Sequence, residues 1–531
     1  MAYRHNQLVL LSLYTVLVWL VIRHVDYAAS HKLGTSVLAI RTWPCVFLLY
    51  TCCKTLVRKY RSSLKDLPGP ESRNWLYDHA FDIFDEPLAY QLTHWINERL
   101  FGSEYVVPTD HESLLDALSN HSYDFEKASA FRRYAIRFFG DGLVSQEQDV
   151  HKKNRKIYTP VFNQKAIHDI RHMITSKSTE FVGRISELCN ANTAKSAVVP
   201  FSEFVGLVSL DIVSNVALGI DFETIRGKNR HIFDAYETIF GSTHHKKWRF
   251  LWHNIIPPWL DRLIPSAEER RMDMAHDLLI HIIREEIPKR LTDVDKAETH
   301  NTDFLSNLVK SGDFNEEEHM AQLVTILAAG YESTGGSLSF VIYCLAAHMD
   351  AQEILRKEIT KAKNGREALD EDEYDRLPYM NAMVTESLRL YPSFPLLLRK
   401  AIRDTTIKGR CIPRGTYIGV SPRVINYAQH IWGPDATQFN PERWLDRSDP
   451  EAPKPIPSGG APSPACMLSF GYGTRSCVGR NLATAQIKRQ IALIVDQFYV
   501  DCVDDKIPHP TGLFASAPPH DFRLHFTLVS H

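Results

Sequence analysis

Apolar residues recur at three- and four-residue spacing through most of this chain, the pattern of helices that bury one face. The stretches "SEFVGLVSLDIVSNVALG" (202–219), "PYMNAMVTESLRLY" (378–391) and "GRNLATAQIKRQIALIVDQF" (479–498) each read this way. The longest such pattern runs from Glu316 to His348. Asn315 is placed to cap it, Glu318 stands in capping-box position, and the acidic run favours a helix N-terminus. A helix of that length extends roughly 50 Å. Its middle, "AAGYESTGG" (328–336), sets glycines, an acid and two hydroxyls into an apolar rod. Each glycine there costs about 1 kcal/mol of helix stability, so something needs room at that point. Strand-like alternation is confined to short runs such as "TYIGVSP" (416–422) and "FRLHFTLVS" (522–530). The pattern predicts a mainly α body with a minor β part.

The first 70 residues differ in kind. Leu8 to Ile22 is uncharged and apolar, and a second apolar stretch runs from Leu33 to Cys53 with Arg41 and Pro44 inside it. The reading is a retained membrane anchor over 1–53, of one or two apolar segments. Lys54, Arg58, Lys59, Arg61 and Lys65 follow, placing that flank in the cytosol. "LPGP" (67–70) makes a stiff elbow, so 54–70 is a basic flank and 71–531 the globular domain. The Pro-rich stretches at 255–260 and 450–465 read as surface loops. The Trp-rich run 248–260 suits a membrane interface or a core equally well.

Composition removes several function classes. With 61 basic and 63 acidic residues the chain carries a net charge of −2, no field for nucleic acid. Nine cysteines without a CxxC pair form neither a disulfide framework nor a zinc site. "HHKK" (244–247) resembles a metal site by composition alone and reads as solvent-exposed. One cysteine is different: Cys477 lies in "FGYGTRSCVGR" (470–480), framed by turn-permitting glycines and a fixed cation.

That frame resembles the phenylalanine-x-x-glycine-x-arginine-x-cysteine-x-glycine signature of the cytochrome P450 superfamily. "AGYEST" (329–334), "ESLR" (386–389) and "FNPERW" (439–444) follow the family's order upstream of it, and the resemblance covers about 67–531. It implies the P450 fold, with a long central helix over haem b and a cysteine-ligand loop, in a eukaryotic microsomal and fungal member. By resemblance Cys477 is the axial thiolate ligand of the iron and the metal site. Phe470, Arg475 and Gly479 of its loop, His151 and Arg155 of "HKKNRK", and Arg399 contact the haem, the cations among them answering its propionates. Many members carry tryptophan where this chain has His151. Glu386, Arg389 and Arg443 form a buried ion network. Glu332 and Ser333 relay protons, with Thr334 as the rival hydroxyl, because Ser333 stands where the family commonly has threonine. Local bonding of either hydroxyl to the preceding turn is the plain alternative.

The resemblance implies a monooxygenase of the endoplasmic reticulum membrane, its catalytic domain cytosolic. The reaction would be hydroxylation, epoxidation or a multi-step oxidation of a lipophilic molecule in secondary metabolism, using O2. No dinucleotide fingerprint appears, so NADPH and flavins act through a partner NADPH–cytochrome P450 reductase. Lys152, Lys153, Lys156, Lys488 and Arg489 are candidates for its docking patch. Phe138, Phe139, Phe394, Leu396, Leu397 and Phe514 are expected to line the substrate pocket. A haem-thiolate isomerase or dehydratase needing no reductase, and a non-catalytic haem-binding membrane protein, are the alternatives.

Overall fold

The computed structural model describes residues 97–100, 103–241, 246, 266–295, 304–311, 315–449, 452–504, 508, 510–511 and 515–529. The anchor, the basic flank, the elbow, the 248–260 run and Phe514 lie outside them.

The longer helices are α1 (Ser129–Phe139), α2 (Gln148–Val161), α3 (Gln164–Asn190), α4 (Phe201–Leu218), α5 (Arg230–Phe240), α6 (Ala267–Asp295), α7 (Phe304–Ser311), α8 (Glu316–Ala347), α9 (Met349–Lys363), α10 (Pro378–Leu390) and α11 (Arg480–Gln497). The central helix α8 begins where its cap residues require. Asn315 Oδ1 accepts the Glu318 N–H at 2.9 Å and Glu318 Oε2 accepts the Asn315 N–H at 2.9 Å, a complete capping box. Proline at the first position of α10 costs no hydrogen bond there.

α8 packs most extensively on α4 and also touches α10 and α11. Its glycines have a packing reason: a Cβ on Gly330 would stand 2.5 Å from Val213 Cγ2 of α4, and one on Gly336 2.6 Å from the Ser516 carbonyl. The room expected in the middle of this helix is used partly by its neighbours. α4 is long and apolar enough to cross a membrane, yet 72% of it is buried inside the protein; it is a core helix.

Strands β1 (Asn97–Leu100), β2 (Ser103–Val106), β3 (Phe125–Lys127), β4 (Ser196–Val199), β5 (Leu397–Ala401), β6 (Thr405–Ile407), β7 (Arg410–Ile412), β8 (Tyr417–Val420), β9 (Leu445–Asp446), β10 (Lys454–Pro455), β11 (Phe498–Cys502) and β12 (Leu524–Leu528) are all short. The largest sheet has the order β1-β2-β8-β5-β3, antiparallel except for β2 with β8. A second sheet, β11-β12-β4, is antiparallel. The loop expected over 450–465 keeps that character but contributes β10, paired with β9. Lys246 corrects the reading of 244–247 as solvent-exposed. It is buried and its ammonium caps the end of α5, donating to the carbonyls of Thr238 at 2.7 Å and Gly241 at 2.6 Å.

Candidate active site

Cys477 closes a tight loop that ends at α11. Its N–H donates to the Phe470 carbonyl at 2.8 Å, and Gly471 N–H to Leu468 at 2.8 Å. The loop turns at Gly473, whose φ of +70° and whose place against the Leu118 carbonyl, 2.0 Å from any added Cβ, exclude other residues. Cys477 as a residue is exposed, yet burial is the largest influence on its thiol and pushes its pKa up. The N–H groups of Gly479 and Arg480 and the guanidiniums of Arg155 and Arg480 act the other way, favouring the thiolate. The helix N-terminus thus supports the anion as expected, but burial outweighs it in the free thiol. Arg480 also lies over the Phe470 ring, 5.6 Å from its centroid.

The central helix opens in the same way. Within the stretch 322–346 of this helix, which is otherwise buried, Ala329 is exposed and Gly330, Glu332 and Ser333 are partly so. Glu332 is nonetheless deep: burial, reinforced by the charge of Glu237, pushes its carboxyl up to about 8 despite an N–H from Ala515. Ser333 Oγ donates to the Ala329 carbonyl at 2.6 Å, the local bond weighed above, while its side chain stays at the opening. Thr334, one position round the helix, is buried. Ser393 Oγ donates to the Ser333 carbonyl at 3.2 Å and shares a 2.6 Å bond with Ser337 Oγ, linking this turn to the segment before β5. Neither serine was singled out in the sequence, since no local pattern marks them.

Long-range folding gathers cations beside the cysteine loop. Lys127 on β3 and Arg399 on β5 are directly opposite in register, a destabilising like-charge pair by itself. Arg475 Nη2 lies 2.6 Å from Glu147 Oε2 and its guanidinium sits 4.7 Å from the Tyr123 ring centroid. Arg475 Nε is a buried donor without a hydrogen-bond partner. Burial depresses Arg399 to about 10 and Lys127 to about 7, with neighbouring cations adding to the effect. Arg155 donates to the Ser476 carbonyl at 2.5 Å and to Ser476 Oγ at 3.1 Å. An excess of buried cations and an orphaned guanidinium N–H fit a group that brings carboxylates, as haem does.

His151 departs from the expectation that it answers a propionate as a cation. It is buried, and desolvation with the charges of Lys127 and Arg475 lowers it to about 3, so it is neutral. Its Nδ1 shares a 3.1 Å bond with the Tyr123 hydroxyl, which leaves Nε2 as the group for a further hydrogen bond. Lys127, Glu147 and Tyr123 escaped sequence reasoning because nothing local distinguishes them.

The ion network forms as expected. Arg389 Nη2 meets Glu386 Oε1 at 2.8 Å with both side chains fully buried, and Arg443 Nε meets the same oxygen at 3.1 Å. Trp444 Nε1 donates to Glu386 Oε2 at 2.9 Å, and Asp435 pairs with Arg443 at 2.7 Å. Asn426 carries the network onward, donating to the Arg389 carbonyl at 2.8 Å and to Ser469 Oγ at 3.2 Å, next to Phe470.

The docking and pocket candidates divide. Lys152, Lys153 and Lys156 are exposed on α2, but Arg489 is fully buried against Glu371 at 2.9 Å and Lys488 pairs with Asp375 at 3.3 Å. Those two hold α11 to the 371–375 segment and drop out of a surface patch. Phe139 stacks on Phe240 at 5.1 Å, and Phe240 in turn lies 6.2 Å from Tyr331 of α8. Phe138 turns the other way, to His276 of α6 at 6.4 Å. Phe394 and Leu397 are partly exposed, and Leu396 packs on Val107 and Val424.

The family model described as cytochrome P450 matches residues 84–524. Cytochrome P450 monooxygenase buaD of Petromyces alliaceus is 32% identical over 86% of this chain and 86% of its own length. Cytochrome P450 monooxygenase ptmK of Penicillium ochrochloron is 30% identical over 88% and 95%. Cytochrome P450 monooxygenase sphH of Aspergillus fumigatus is 29% identical over 87% and 88%. These relatives favour neither the isomerase nor the carrier alternative. A family match along most of the chain, over a fold that presents a deep cysteine beside cations in search of carboxylates, means that the chain belongs to the cytochrome P450 family and is a haem-thiolate monooxygenase.

Proposed function

We propose that this chain inserts one oxygen atom of O2 into a lipophilic intermediate of fungal secondary metabolism, with Cys477 as the haem ligand. The observation that carries this is Cys477, an exposed residue whose thiol is desolvated and braced by the Gly479 and Arg480 N–H groups. Haem held by a thiolate supplies reductive activation of O2 and oxygen insertion. Arg475, Arg399 and Arg155 orient its carboxylates, and His151 donates a hydrogen bond through Nε2. The exposed and half-exposed positions Ala329 and Ser333 of α8 are the part of that helix assigned to face the haem. Glu332, with its carboxyl raised to about 8, holds a proton at neutral pH and can release it there, and the Ser333 hydroxyl passes it on when its bond to Ala329 turns. Phe139, Phe394 and Leu397 contribute apolar wall, which keeps bulk water out and selects apolar substrates. Electrons come from a membrane-bound NADPH-dependent reductase, met by Lys152, Lys153 and Lys156 of α2. The anchor over 1–53 holds the protein to the endoplasmic reticulum with its body in the cytosol.

The test is the reduced carbon monoxide complex together with metabolite comparison in a host co-expressing a reductase. The parent protein should give thiolate-type absorption and an NADPH-dependent product one oxygen heavier than its substrate. Cys477→His should lose that absorption and the product. Product formed without NADPH, or turnover surviving in Cys477→His, overturns the assignment.

A further inference from the structure

Glu147 is a carboxylate built into the cation cluster. It stands in extended backbone, φ −136° and ψ 168°, immediately before α2. Its Oε1 accepts the Lys127 N–H at 2.8 Å and lies 3.1 Å from Lys127 Nζ, while its Oε2 is 2.6 Å from Arg475 Nη2. Burial works to raise its pKa, yet the charges of Lys127 and Arg475 and the Lys127 N–H win and hold it low. It is ionised, and its side chain is only 4% exposed. Lys127 also donates to the Gln146 carbonyl at 2.7 Å, so this ammonium is fixed by the segment that carries Glu147.

The charge balance follows. Lys127, Arg399, Arg475 and Arg155 are four cations that act on one another or on His151, and the carboxylate that meets them is Glu147. Haem brings two more carboxylates. With Glu147 ionised, and with Arg155 set against the Cys477 thiolate, the charges of the site then balance; without it, one excess positive charge remains. In a buried site such a charge acts over long range, and a negative charge beside haem favours the ferric over the ferrous state.

We propose that Glu147 is the charge-setting residue of the haem site: it shares Lys127 and Arg475 with the haem carboxylates and holds the reduction potential of the iron down. The inference rests on the haem reading above. The competing account is a purely structural clamp, in which the Glu147–Lys127 pair only ties α2 to β3. The two differ in sign. Breaking a clamp from either side loosens the same contact, whereas removing an acid and removing a cation change the local charge in opposite directions.

The experiment uses the full chain with haem bound. Reduction potentials are measured by spectroelectrochemical titration at pH 6 for the parent, Glu147→Gln and Lys127→Gln, with haem loss to excess apomyoglobin followed in parallel. Glu147→Gln should shift the potential upward and Lys127→Gln downward, each keeping thiolate-type absorption with carbon monoxide. Haem loss should accelerate more in Lys127→Gln, which removes a partner of the haem carboxylates. Shifts of one sign in both variants, or no shift, overturn the proposal while leaving the haem reading intact. A parent protein without thiolate-type absorption overturns the haem reading itself. Where Glu147→Gln does not retain haem, Lys127→Gln decides alone, and an unchanged or raised potential there overturns the proposal.

Discussion

Ser333 and Glu332 stand side by side on α8 and their environments give them different chemistry. Ser333 sits at the opening with its hydroxyl bonded back to Ala329, and Thr334 is buried about 100° round the helix. Ser333→Ala should therefore keep NADPH consumption while product per NADPH falls and peroxide rises, whereas Ser333→Thr stays coupled. Thr334→Ala should have little effect on coupling; the reverse result would move the relay to Thr334. Glu332 carries a second prediction, because its carboxyl is lifted from 4.5 to about 8. Between those values the folded protein holds a proton that the unfolded chain has released, so stability falls as pH rises through that window. Below about pH 4.5 both states are protonated and the penalty is absent. Glu332→Gln should thus gain thermal stability over the parent progressively from about pH 5 to pH 8. An infrared band of a protonated carboxyl, present at pH 6 and lost near pH 8 in the parent but missing in the variant, checks the assignment. A parent without that band at pH 6 would refute it.

At the scale of elements, the ion network is what turns a helix into a support for the cysteine loop. α10 presents Glu386 and Arg389 one turn apart, and Arg443, Trp444 and Asn440 close on Glu386 from the segment beyond. Asn426 and Ser469 then hand the order to Phe470 and Cys477. Glu386→Ala leaves two guanidiniums buried beside an empty place, at a cost of about 3 to 5 kcal/mol. The expected result is loss of haem incorporation, read as missing absorption in the purified protein, and not a slowed turnover at normal haem content. The pairing of α8 with α4 has a comparable logic without charge, since Gly330 lets Val213 approach to a distance that no side chain permits.

For the whole molecule, the proposed cytosolic placement of the body rests on the five charges after the apolar N-terminus. Asn120 tests this placement. It begins the glycosylation acceptor Asn120–His121–Ser122, and it is exposed, so a lumenal body would present it to the modifying enzyme. Mass spectrometry of protein expressed in a eukaryotic host should find Asn120 bare; a glycan there reverses the topology. The surface bears on reductase docking too, because Lys488 and Arg489 are committed to Asp375 and Glu371 and only the α2 lysines remain of the expected patch.

What the sequence by itself determined lies within a helical turn or a short loop. The capping box at Asn315, the Glu386–Arg389 spacing and the glycines around Cys477 are each set by neighbours three to seven residues away, and each formed as read. The charge state of the site was decided only by tertiary structure. Lys127 meets Arg399 across two strands far apart in the chain, and Glu147 reaches Arg475 from a third segment. His151, expected as a cation, is neutral because burial and the surrounding charges act together on it. Arg489, expected at the surface, went to the core because α11 turns that face onto Tyr374 and Glu371. Desolvation and distant charges have no signature in local spacing, so ionisation and partner choice became legible only when the segments were packed together.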